Sequence, residues 1–107
     1  MQQRIYTVYD CKAEAYLKPF FTSTKGLALR SFIDESNKPG TSLNTYPADY
    51  TLFEIGLYDE QKGKIVMHDA HENLGTALEH IRPNQSDTIR QPSLPSLESN
   101  QEIQETI

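Results

Sequence analysis

The stretch Tyr50-Thr51-Leu52-Phe53-Glu54-Ile55-Gly56-Leu57-Tyr58 decides the fold. Its β-branched and aromatic residues suit a pleated, half-buried backbone, and successive side chains of a strand point to opposite sides. Phe53, Ile55 and Leu57 share one side, with Leu52, Glu54, Gly56 and Tyr58 on the other. Asp59-Glu60-Gln61-Lys62-Gly63 then supplies turn chemistry, and Lys64-Ile65-Val66-Met67-His68 completes a hairpin.

Upstream of this strand, Thr41 to Asp49 reads as a polar loop, preceded by the stop signal Asn37-Lys38-Pro39-Gly40. Proline cannot continue a helix, and glycine admits left-handed backbone angles. The element being stopped is a helix over about 24–37, in which Ala28, Leu29, Phe32 and Ile33 form one apolar face. Thr22-Ser23-Thr24 offers hydroxyls to cap its first turn. Nearer the N-terminus, Arg4-Ile5-Tyr6-Thr7-Val8-Tyr9 reads as a strand, Asp10 to Glu14 as a turn and Ala15-Tyr16-Leu17 as its short hairpin partner. Pro19 removes a donor, so Pro19-Phe20-Phe21 should leave the sheet or lie along its edge.

Downstream, His68-Asp69-Ala70-His71-Glu72 reads as a solvated loop. Leu74, Ala77, Leu78 and Ile81 then fit one face of a short helix over about 73–81, with Asn73 as its cap. The expected fold class is α+β: a small antiparallel sheet of two hairpins and about four strands, packed with one main helix and a short second one. All ten aromatic residues lie between Tyr6 and Tyr58, which places the core in a single domain over 1–81. The stretch 82–107 carries Pro83, Pro92, Pro95 and only isolated aliphatics, so a disordered tail is expected.

Ten basic residues against fifteen acidic ones give a net charge of −5, which opposes non-specific attraction to nucleic-acid phosphates. Cys11 stands alone, so neither a disulfide framework nor a cysteine-rich zinc site is expected. The first residues lack a signal-peptide core, and no window approaches the ~18 consecutive apolar residues of a bilayer span. A soluble protein without membrane contact follows as the expectation.

Side chains capable of chemistry are sparse. His68, His71 and Glu72 are metal-ligand types, but their spacing matches no known ligand pattern, and no cofactor or metal is expected. The glycines are dispersed, so no phosphate loop forms, and no Ser or Cys sits in a recognisable nucleophile pattern. With no catalytic residue in view, the chain is not expected to be an enzyme. A single-strand nucleic-acid platform needs aromatic rings beside positive charge, and Tyr9, Lys12, Tyr16, Lys18, Phe20 and Phe21 are the residues that offer both.

Three stretches carry a family resemblance: Ile5-Tyr6-Thr7-Val8-Tyr9-Asp10 with Lys12-Ala13 and Ala15-Tyr16-Leu17; Pro19-Phe20-Phe21; and Tyr46-Pro47-Ala48-Asp49-Tyr50-Thr51-Leu52-Phe53-Glu54-Ile55-Gly56-Leu57-Tyr58-Asp59. In this order they resemble the small nonstructural, DNA-binding protein of gokushovirus-type microviruses, phages with small circular single-stranded DNA genomes. The similarity covers about residues 4 to 81. It implies a non-enzymatic accessory protein in the cytoplasm of a bacterial host, acting in synthesis or packaging of the single-stranded genome. Its partners would be viral replication or procapsid proteins, with direct single-stranded DNA binding or a host-directed interaction as alternatives. Unpaired strand edges in so small a sheet also make a homo-oligomer an expectation.

Overall fold

A computed structural model of the chain describes residues 2–83. Five strands form one antiparallel sheet: β1 (Gln2–Asp10), β2 (Ala15–Tyr16), β3 (Phe20–Thr22), β4 (Tyr50–Asp59) and β5 (Lys64–Thr76). Across the sheet the order is β2-β1-β4-β5, and β3 pairs with the same edge of β1 as β2. The N-terminal hairpin is present, with Tyr9 opposite Tyr16. Of the two courses open to Pro19-Phe20-Phe21, the chain takes the edge: Phe20, Phe21 and Thr22 lie opposite Tyr6, Ile5 and Arg4.

The main helix, α1 (Lys25–Asn37), begins where the hydroxyls predict, with Thr24 Oγ1 accepting from the Leu27 amide at 3.2 Å. Ala28 and Phe32 are buried on the sheet, forming one core with Tyr6, Val8, Tyr50 and Leu52. On β4 the inward side before the bulge is therefore the Leu52 and Glu54 side, not the Phe53 side. Asn37 closes the helix: its amide donates to the carbonyls of Ile33 (2.7 Å) and His80 (3.0 Å), and its Oδ1 accepts from the Arg82 amide at 2.7 Å. The chain is thus fastened to α1 as far as Arg82.

Two segments depart from expectation. The stretch 41–49 is not an irregular loop: it holds a one-turn helix, α2 (Ser42–Thr45), capped by Thr41, and a 3-10 turn at Pro47–Asp49. Leu43 is the reason, since it is buried in the core and a helical turn aims it there. The second departure is larger. His68 to Glu72 is strand, and β5 runs on to Thr76, so the short second helix shrinks from 73–81 to one 3-10 turn at Leu78–His80. Gly75 has φ of +105°, outside any right-handed helix. Pairing of Asn73 with Phe53 and of Thr76 with Thr51 supplies hydrogen bonds that an isolated nine-residue helix lacks the length to hold. Of the tail expected over 82–107, everything beyond Pro83 lies outside the described residues.

Both ladders of β4 are irregular at the same point, and the β5 ladder shifts a second time between Thr51 and Phe53. Against β1, Glu54 faces Tyr6 and Gly56 faces Ile5; against β5, Glu54 faces Glu72 and Gly56 faces Met67. Ile55 has no partner on either side. Just beyond it, β5 approaches so closely that a Cβ on Gly56 would lie 2.6 Å from the Val66 carbonyl oxygen and 3.1 Å from Met67 Cα. Backbone atoms cannot yield as a side-chain tip can. Gly56→Ala is therefore expected to lower the unfolding free energy by about 2–3 kcal/mol in urea titration. Gly26→Ala in α1, where an added Cβ meets nothing nearer than Thr24 Oγ1 at 4.0 Å, should leave stability unchanged or raise it slightly.

Candidate functional site

Two arrangements of polar and aromatic side chains stand out, one on each side of the sheet. On the α1 side, Glu54 is 2% exposed at the centre of β4. The Tyr6 hydroxyl donates to its Oε1 at 2.8 Å, Arg4 Nη1 lies 3.3 Å from both carboxylate oxygens, and His68 Nε2 lies 2.7 Å from Oε2. Burial alone would push the Glu54 carboxyl up. The hydrogen bonds from His68 and Tyr6 and the charge of Arg4 outweigh it and hold the group below its ordinary value of 4.5. Tyr6, buried and bonded to that carboxylate, is held well above the usual phenol range. Every donor around Glu54 comes from β1 or β5, so its acceptor capacity is spent on joining three strands.

The other side of the sheet carries no helix. Register places Gln3, Ile5, Thr7 and Tyr9 of β1 there, with Thr51, Phe53, Gly56 and Tyr58 of β4. Tyr16 and Phe21 join them from β2 and β3, and Ile65, Met67, Asn73 and Thr76 from β5. None of these residues is charged; the alternation of β5 between Met67 and Asn73 adds His71 and one carboxylate, Asp69. Tyr9 and Tyr16 have ring centroids 4.8 Å apart, and Tyr16 reaches on to Phe53 at 6.3 Å and His71 at 5.6 Å. Phe21 and Tyr58 form a second pair at 6.0 Å. Thr7 is buried within this face, its hydroxyl donating to the Leu17 carbonyl at 2.7 Å. The rings around it stay accessible, Tyr16 at 52% and Phe21 at 48%.

The residues that the sequence nominates for nucleic acid are divided by this geometry. Tyr9, Tyr16 and Phe21 come together on the open face. Phe20 points the other way and stacks on Tyr6 at 5.7 Å. Lys18 and Phe20 line a groove of about 400 Å³ beside α1, together with Leu17, Phe32, Glu35 and Leu43. Lys12 sits in the β1–β2 turn, where its amide donates to Asp10 Oδ1 at 3.0 Å. Sequence reading missed Phe53, Tyr58 and His71. The alternation along β4 groups Phe53 with one side but does not say which side is bare, and His71 joins the rings only because its segment is strand. His68 and His71 serve opposite sides of the sheet, the first against Glu54 and the second against Tyr16 and Phe53. Among the described residues no three His, Cys, Asp or Glu side chains gather as a metal site, and no helix is long and apolar enough to cross a membrane.

Residues 3–80 match the family model of the phage ORF5 protein. The chain belongs to the phage ORF5 protein family. No curated protein and no solved structure matches it. The match spans α1 and all of the sheet but Gln2, so both the Glu54 network and the open face of this phage ORF5 family member lie within it.

Tyr6→Phe deletes one donor to a buried carboxylate and is expected to cost about 1.5–3 kcal/mol in urea unfolding at neutral pH. The Glu54 carboxyl titrates lower in the folded than in the unfolded chain. Its stabilisation is therefore complete above the unfolded value of 4.5 and is lost as pH falls through the folded one. Acid titration followed by circular dichroism should show wild type losing stability over that range more steeply than Glu54→Gln, which has no such proton to take up.

Proposed function

We propose that this phage ORF5 family member is a non-enzymatic accessory protein that works by binding other proteins through the open face of its sheet. By its resemblance to gokushovirus-type microviruses, the setting is the cytoplasm of a bacterial host, and the process is synthesis or packaging of a single-stranded DNA genome. The partners are viral replication or procapsid proteins. The observation that carries this reading is the combination of accessible rings with the absence of cations from that face, where strand alternation places a single charged residue, Asp69. Aromatic surface poor in charge is what the buried centre of a protein interface uses, whereas a phosphate backbone needs cations along its path.

A second reading, direct binding of single-stranded DNA, is favoured by the rings themselves, since Tyr16, Phe53 and His71 form a platform on which bases can stack. It lacks the cations. The net charge of −5 opposes it, and Lys12 and Lys18 stand off the platform.

Affinity capture from infected cells, run beside a mobility-shift assay, separates these readings. Wild type should retain viral replication or procapsid proteins, and Tyr16→Ala with Phe53→Ala should lose them while still unfolding cooperatively. A single-stranded oligonucleotide should not be shifted even at low salt. Tight, salt-sensitive DNA binding that weakens with Lys12→Ala and Lys18→Ala would replace the protein-contact reading with the second. Recovery of host proteins alone would turn it into a host-directed module.

A further inference from the structure

The two edges of the sheet are treated differently. The outer edge of β1 is occupied from Arg4 to Asp10 by β3 and β2, with Leu17 between them donating its amide to the Val8 carbonyl at 2.8 Å. The outer edge of β5 has no partner strand among the described residues. Soluble proteins blunt such an edge with charge, proline, bulges or a covering element. Between Lys64 and His68 the chain uses none of these. It presents Ile65, Val66 and Met67, each slightly more than half exposed (54%, 53% and 52%), in regular register with β4 on their inner side.

We propose that this edge pairs antiparallel with the same edge of a second copy of the chain, with Val66 on the two-fold axis. An antiparallel strand is complementary to itself about a two-fold axis, so one patch serves both partners. In this register Ile65 of one copy faces Met67 of the other, and Val66 faces Val66, so apolar pairs are made on both sides of the seam. An axis normal to the sheet keeps both open faces on the same side and joins them into one surface. Because the β1 edge is already covered, pairing closes at two copies and does not propagate into a fibre. This pairing stands on the sheet's edges and is independent of what binds the open face.

Light scattering on the full chain at micromolar concentration should give the mass of two copies. Val66→Lys, which sets two ammonium groups across the axis at an exposed position, should give the mass of one with cooperative thermal unfolding retained. Cys11→Ser with Val66→Cys should cross-link to a covalent dimer on mild oxidation, and Cys11→Ser with Tyr16→Cys should not. The cross-linking pair decides the matter should Val66→Lys fail to fold. A one-copy mass for the wild type, a two-copy mass that survives Val66→Lys, or cross-linking through Tyr16→Cys in place of Val66→Cys would each overturn the proposal.

Discussion

One buried carboxylate holds the sheet together. Glu54 lies on the middle strand of the three long ones and accepts from both neighbours, Tyr6 and Arg4 on β1 and His68 on β5. A charge at 2% exposure is costly unless its oxygens are fully engaged, and removing one partner leaves the penalty of burial uncompensated. That asymmetry makes the network a register lock. Sliding either neighbour by one residue turns its donors to the other side of the sheet and strands the carboxylate. The same network explains why β5, a long outer strand, follows β4 past the irregular stretch before Glu72.

Much of this was legible in the chain and some was not, for separable reasons. The strands beginning at Arg4 and Tyr50 and the capped helix after Thr24 follow from local chemistry: branched and aromatic residues and hydroxyl caps. Glu54 was opaque because its donors are remote, 48 and 50 residues away on β1 and 14 away on β5. A lone carboxylate in an alternating strand ordinarily reads as facing water. The stretch 73–81 misled because Leu74, Ala77, Leu78 and Ile81 keep helical spacing, while pairing with β4 outweighs a weak local preference.

The candidate face depended on the same non-local facts. Three of the six nominated residues, Tyr9, Tyr16 and Phe21, do share a surface, yet the ring that connects Tyr16 to β4 is Phe53 and the group that extends the cluster to β5 is His71. Neither the bareness of that side nor the lack of cations on it can be read until it is known that α1 covers the other. Phe20 illustrates the point. One residue from Phe21 along an edge strand, it points to the opposite side and serves the core.

The skipped residue Ile55 has a dynamic consequence. Since neither neighbouring ladder engages it, the backbone bonding of β4 is interrupted at the same height on both flanks, and the sheet divides into two blocks. The block from Tyr50 to Glu54 is backed by α1 and the core, whereas the hairpin from Gly56 to Met67 relies mainly on its own rungs and on β1. Local openings tend to follow such seams. Amide protons of the hairpin should therefore exchange with solvent through a fraying motion that leaves the Tyr50–Glu54 amides protected, so the tip can adapt its twist to a neighbour without unfolding the rest.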